Sequence, residues 1–255
     1  MDVNQSVITS VTVADIKEYV SRFNAIGTLN GDEGLLFGRS DANVMKIMLC
    51  WMADVAAIKH ATQIGADTII AHETLFYPSA ALEQGGTLDF LSWKTNNERV
   101  KLLAAGGITV IRVHTTMDYI CIFDDFAVLL ELGEPVIDAG GLVKVFDIEP
   151  IPYGMLIERV KKAVNMPHVR VTDGDRGRLV HRVGLPWGGL GLHRNAHYVQ
   201  KLIHHGCDVL ISGESCNYGF RFAVDAGLDV IETSHEVSEN PGIRHFSRTL
   251  AEAFP

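Results

Sequence analysis

The sequence predicts an α/β fold with a mainly parallel sheet. Two observations carry this expectation. Short apolar, β-branched runs alternate with helix-periodic segments along almost the whole chain. The connections between them are short, as in strands linked by crossover helices. One composition break, GEPVIDAGG at 133–141, interrupts the alternation and reads as a linker.

The elements follow in order. Thr12 and Asp15 make a helix start, because a side-chain oxygen there satisfies free backbone donors. Ile16, Tyr19 and Val20 then share a face. MKIMLCW at 45–51 reads as a buried strand and 53–64 as a helix. DTIIA at 67–71 is strand-like, 96–105 is helical and ITVIRV at 108–113 is a strand. A short helix at 124–131, capped at Asp124, ends the first series. VKVFDIEPIP opens the second. Helices are expected at 153–164, 194–205 and 220–226, with extended HVRVTD and strands at 180–185, 208–212 and 228–231. The last helix is expected from Asn240 to Ala253. The runs show no low-complexity tract and no fixed-period repeat.

Composition excludes several classes. The 255 residues suit one large domain or two modest ones, with 47% apolar and 21% charged side chains. The formal charge of −9 repels a phosphate backbone, so nucleic acid is not an expected partner. Anionic membrane surfaces are disfavoured on the same ground. No stretch approaches 18 uninterrupted apolar residues, so no membrane span is expected. MDVNQSVITSV has neither the basic nor the apolar region of a signal peptide. Cys50, Cys121, Cys207 and Cys216 form no C-x-x-C pair and read as reduced thiols, which points to a cytoplasmic protein.

Parallel sheets bind ligands beyond the carboxyl ends of their strands. Four apolar runs turn polar at such ends: TIIAHE with His72 and Glu73, TVIRVHTTMD with His114 and Asp118, VLISGES with Glu214, and VIETSHEVSE with His235, Glu236 and Glu239. If the strands are neighbours, these groups converge. Converging carboxylates raise one another's pKa unless a cation neutralises them. Imidazole with carboxylate is the donor set of zinc, iron or manganese. Even five of these eight groups would exceed the needs of one catalytic zinc and suit two metals.

Simpler explanations stand beside this one. His235 and Glu239, four apart, can form an ion pair on a helix. His114 and Asp118 can share a loop hydrogen bond, and Glu73 can be a helix N-terminal charge. His204–His205 reads as a helix C-terminal charge, and His193 with His197 as a solvated pair. His60, His168, His181 and His245 have no converging partners in sequence. Gly188-Gly189-Leu190-Gly191 can offer backbone donors to an anion, but a plain tight turn explains it as well. Gly34 and Gly38 in GDEGLLFG read as turn residues.

In this order, the junctions resemble the Nif-three-like family, named for NGG-one-interacting factor three and also known as GTP cyclohydrolase I type 2 homologues. EGLLFG at 33–38 resembles the family's N-terminal segment, and GADTIIAHETLF at 65–76 its strand ending in a histidine pair. VIRVHTTMD at 110–118 resembles its His-x-x-x-Asp strand, and DVLISGES at 208–215 its Ser-Gly-Glu strand. GLDVIETSHEVSE at 227–239 resembles its C-terminal His-x-x-x-Glu signature.

The resemblance implies two linked α/β domains with a metal cleft between them: residues 1–132 with 227–255, carrying most ligands, and 133–226. It implies two divalent metal ions (zinc, iron, manganese or magnesium) and a ring-shaped homo-hexamer. The family ligands fall on His72, Asp118, His235 and Glu239, and Glu73 stands where the family carries its second histidine. Met52 stands where many members carry an aspartate. The implied function is a dinuclear metal-dependent hydrolase, cyclohydrolase-like or phosphoesterase-like, acting on a small nucleotide or pterin-like substrate through a metal-bridging water. His114 and Glu214 are the candidate proton carriers. The alternative is a non-catalytic metal-binding or regulatory oligomer that assembles partners.

Overall fold

The computed structural model describes residues 10–24, 27–78 and 88–255. The signal-peptide reading of the first nine residues lies outside them. Two compact units divide the chain: Met1–Ile120 with Phe246–Pro255, and Cys121–His245.

The first unit is built on a four-stranded sheet. In chain order its elements are α1 (Val13–Ser21), β1 (Gly34–Phe37), β2 (Ile47–Cys50), α2 (Val55–Ile64), β3 (Thr68–Ala71), α3 (Lys94–Gly106) and β4 (Thr109–Arg112). The strand order is β1-β4-β3-β2. β2, β3 and β4 are parallel, and β1 runs antiparallel to β4. Local chemistry explains the helix limits. Thr12 and Asp15 form a reciprocal capping box on α1. Asp54 caps α2 at the amide of Ala57, and Gly65 ends that helix at φ 69°. β3 and β4 are buried along their whole length, packing with Ile58, Ala61, Leu75 and Leu103. β2 is half-buried rather than buried, because it is the sheet's edge; Met45 just before it is 86% exposed.

The second unit carries a six-stranded mixed sheet of order β5-β6-β8-β9-β10-β7. Its strands are β5 (Ile137–Asp138), β6 (Lys144–Pro152), β7 (Arg170–Val171), β8 (Leu179–Gly184), β9 (Val209–Ser212) and β10 (Asp229–Glu232). Its helices are α4 (Phe123–Leu129), α5 (Tyr153–Ala163), α6 (Ala196–His204), α7 (Asn217–Asp225) and α8 (His235–Ala253), the last continuing into the first unit. β8, β9 and β10 are parallel and the remaining pairs antiparallel, so neither sheet is purely parallel. Buried Asp229 accepts from Thr172 Oγ1 at 2.9 Å and Arg178 Nε at 3.0 Å, and Tyr153 Oη donates to Val230 O at 2.9 Å. This network ties α5, β7 and β10 together.

The compact units, cut at Ile120 and His245, do not coincide with the grouping of 1–132 plus 227–255 and 133–226 expected from sequence. Several element readings need correction. β10 pairs with β9 and β7, which holds 229–232 in the second sheet. Phe123 packs its ring on Phe146 at 6.3 Å and on Trp187 at 4.7 Å, which holds α4 in the same unit. The 133–141 stretch is not only linker, since β5 pairs with β6. Asp124 is not a cap: α4 follows directly on a π turn at Asp118–Ile122, and Asp124 instead bonds Lys144 Nζ at 2.7 Å. Gly34 opens a strand rather than only a turn. α8 begins at His235, not Asn240, with Pro241 inside it.

Candidate metal centre

In the first unit, β3 and β4 lie side by side with Ala71 opposite Arg112. The chain leaving each strand therefore delivers His72 and His114 to the same sheet end, with ring centroids 4.8 Å apart. His72 is fully buried, and its Nδ1 faces Val113 O at 3.1 Å. A carbonyl only accepts, so Nδ1 carries the proton and Nε2 presents its lone pair. That Nε2 lies 3.9 Å from Asp118 Oδ1. The π turn that begins at Asp118 follows a single helical turn at Thr115–Met117, which returns the carboxylate toward the strand ends.

His114 is oriented by the segment before β1. Its Nδ1 lies 2.9 Å from Asp32 Oδ2, and its amide donates to Glu33 Oε1 at 2.7 Å. The His114 hydrogen bond holds the Asp32 carboxyl below the usual carboxylate range against the opposing pull of burial, with Arg112 adding to the effect. With Nδ1 bonded to a carboxylate, Nε2 is the ligand atom, the arrangement common behind metal-bound histidines. One ligand atom from each of His72, His114 and Asp118 fits within a 4.8 Å spread. Two neutral imidazoles and a carboxylate are a fitting donor set for a divalent transition metal. Glu73 lies beside it, with Oε1 3.9 Å from His114 Nε2 and Oε2 3.4 Å from Arg112 Nη2.

In the second unit the same logic repeats on β9 and β10, which pair with Ser212 opposite Glu232. His235 Nδ1 lies 3.0 Å from Glu214 Oε2, and its Nε2 lies 3.2 Å from Glu239 Oε1. A neutral imidazole donates through only one nitrogen. His235 therefore meets its second carboxylate either as imidazolium, the plain helix ion pair, or with a cation joining Nε2 and Oε1. Two donors about 2.1 Å from one ion sit roughly 3.0–3.4 Å apart, which this pair matches. Glu236 is exposed.

The glycine turn after β8 packs directly on the pair. Gly188, at φ 49°, leaves no room for a Cβ, which would collide with Glu239 Oε1. Its amide donates to Ser238 Oγ at 2.9 Å and its carbonyl accepts the Glu214 amide at 2.6 Å. Those bonds knit the turn to the site. Glu232 holds the Ser215 amide at 2.8 Å, and burial pushes its carboxyl up. Three other histidines have partners elsewhere: His181 pairs with Asp208 at 2.9 Å, His245 with Asp125 at 2.8 Å, and His193 faces Cys216 Sγ at 3.5 Å.

The sequence reading missed Asp32, Glu33 and Arg112. The acidic pair in GDEGLLFG was its only visible trace. Its partners lie about eighty positions away and meet it only through antiparallel pairing of β1 with β4.

Parallel neighbouring strands that end in imidazole and carboxylate define an α/β protein with groups able to hold a metal. The family model of DUF34/NIF3 (NGG1p interacting factor 3) matches residues 12–255, and the chain belongs to this family. A protein of Escherichia coli K12 named GTP cyclohydrolase 1 type 2 homolog is 26% identical over 218 residues, covering 82% of this chain and 80% of that one. One of the same name from Clostridium perfringens is 22% identical over 230 residues, covering 86% and 82%. Among solved structures, protein ybgI, of unknown function, has a TM-score of 0.78 at 22% identity over 95% of this chain and 94% of its own. A Bacillus cereus protein related to NIF3 has a TM-score of 0.77 at 15% identity over 96% and 94%. These two share the fold. No helix among the described residues is long and apolar enough to cross a membrane.

Proposed function

We propose that the chain is a metal-dependent hydrolase acting on a small substrate of nucleotide or pterin-like type. The observation that carries the reading is the gathering of His72, His114 and Asp118 ligand atoms within 4.8 Å. The proposal assigns two divalent cations to His72, Glu73, Asp118, His235 and Glu239, with His114 Nε2 as a further donor beside His72 and Asp118. That both donor sets serve one dinuclear centre rests on the sequence resemblance. Bound divalent cations supply Lewis acidity and make water a better nucleophile at neutral pH.

The chain's own groups do the rest. Val113 O and Asp32 fix the tautomers of His72 and His114. Glu214, 47% exposed at its side chain and bonded to His235 Nδ1, is placed to accept and return a proton. His114, whose Nε2 is also offered as a ligand, is the second proton carrier when that nitrogen is not engaged. The proposal also takes the protein as a cytoplasmic homo-oligomer, a ring-shaped hexamer.

Elemental analysis after reconstitution, followed by a screen of nucleotides, pterins and phosphoesters, tests the reading. About one to two equivalents of metal per chain are expected, with turnover lost in His72→Ala and His235→Ala. Fewer than roughly 0.2 equivalents would be contamination rather than a site and would end the metal reading. Stoichiometric metal with no turnover in any class would leave a non-catalytic metal-binding oligomer.

A further inference from the structure

Among the described residues, Arg112 is a cation whose contacts reach directly into the donor set of the first unit. It ends β4 and is only 7% exposed. Nε donates to His72 O at 3.1 Å and Nη1 to Asp32 O at 3.3 Å. Nη1 also lies 3.2 Å from Asp32 Oδ2, and Nη2 reaches Glu73 Oε2 at 3.4 Å. The guanidinium is thus pinned from three residues, and its charge is permanent. By the sequence resemblance, Glu73 stands where the family carries its second histidine. Arg112 holds one oxygen of this carboxylate.

A buried guanidinium acts on a neighbouring metal position in two ways. It takes lone-pair directions of the carboxylate that the ion needs, and it repels the ion across a poorly screened distance. It has the opposite effect on His114, through Asp32. There it fixes the carboxylate that orients the imidazole, which favours binding through Nε2.

We infer that Arg112 makes the two metal positions unequal. The position served by His72, His114 and Asp118 loads tightly. The position that draws on Glu73 loads weakly, because Arg112 competes for that carboxylate. Arg112 is therefore a residue that sets metal stoichiometry. This inference rests on the metal reading above, and its test separates the two.

The test is a titration of the metal-stripped full chain with zinc or manganese, read by calorimetry and by elemental analysis at fixed free metal. In the parent, one ion should bind tightly and a second at least about tenfold more weakly, within the range such neighbouring groups control. Arg112→Met should narrow that gap about tenfold or more. Glu73→Gln should abolish the weak position and leave the tight affinity within roughly threefold. Two ions of equal affinity in the parent overturn the inference, as does an unchanged gap in an Arg112→Met chain whose circular dichroism and melting match the parent. If Arg112→Met does not fold, Glu73→Gln decides: loss of the tight position there overturns the inference too. Absence of any metal binding in the parent removes the metal reading itself, and the inference with it.

Discussion

Glu33 is the residue on which the first unit's donor geometry hangs. Its carboxylate accepts from the Asn30 amide and Nδ2, both at 3.0 Å, from the His114 amide at 2.7 Å, and from the Thr116 amide and Oγ1 at 2.8 and 2.7 Å. Five donors more than fill the roughly four lone-pair sites of a carboxylate. They clamp the loop before β1 to the turn that carries His114 and Asp118. Glu33→Ala should therefore lower stability by about 2–3 kcal/mol, the cost of leaving part-buried donors to weaker partners. Glu33→Gln should lose less, since its amide oxygen still accepts. Urea denaturation measures both, and a loss in Glu33→Ala no larger than surface substitutions show would contradict the clamp.

The four thiols divide just as sharply. Burial pushes Cys50 and Cys207 up to about 12, and Cys121 is 2% exposed with its Sγ on Gly242 O at 3.2 Å. At Cys216 burial also pulls upward, but the His193 and Gly219 amides, the His193 ring and the Tyr218 amide outweigh it and bring the thiol to about 7. The thiolate is the reacting species, so its fraction rises with pH through that value. Iodoacetamide at pH 8 should modify Cys216 first, and the rate should climb with a midpoint near pH 7. Mass spectrometry locates the label. Equal labelling of Cys50 or Cys207 in the folded chain would refute the ordering.

At the scale of elements, what was legible in the sequence is what short-range chemistry controls. The Thr12–Asp15 box, the Asp54 cap and the Gly65 stop each act within a few residues, so they read directly. The apolar runs that became β3, β4, β9 and β10 were visible for the same reason, and with them the donors at their ends. Antiparallel pairing was not legible. β1 and β5 are short, and only their partners define them. The last helix starts earlier than expected, although proline normally occupies a helix's first turn. Here Pro241 sits a turn and a half inside α8, and the earlier start is what puts His235 and Glu239 on one helix face.

Close packing then fixes where that helix lies. A Cβ on Gly242 would collide with the Ile122 backbone in the π turn after Asp118. The obstacle is backbone, so no rotamer change relieves it. Gly242→Ala should destabilise the chain by roughly 1–3 kcal/mol despite alanine's better helix propensity. A thermal melt compared with the parent checks this. A neutral or stabilising result would mean that the helix and the turn part easily.

For the whole molecule, the acidic balance and the donor sets point in one direction. A net charge of −9 repels polyanions and attracts divalent cations at long range. Two stretches far apart in sequence, GDEG at 31–34 and HTTMD at 114–118, form the first unit's donor geometry only when the sheet is assembled. An ion that binds this geometry binds the folded chain and not the unfolded one, so it must stabilise the fold. At a free metal concentration about 100 times the dissociation constant the gain is about 2.7 kcal/mol. For a chain of this size that corresponds to a melting temperature roughly 5–10 °C higher. The donors bind only when deprotonated, so the increment should shrink as pH falls. It should also vanish with a chelator. In His72→Ala the increment should be largely lost, because Nε2 is one of three ligand atoms in the cluster. Differential scanning calorimetry across metals, pH and this variant reads all three effects. An increment that persists unchanged in His72→Ala would mean that the stabilising ion binds elsewhere.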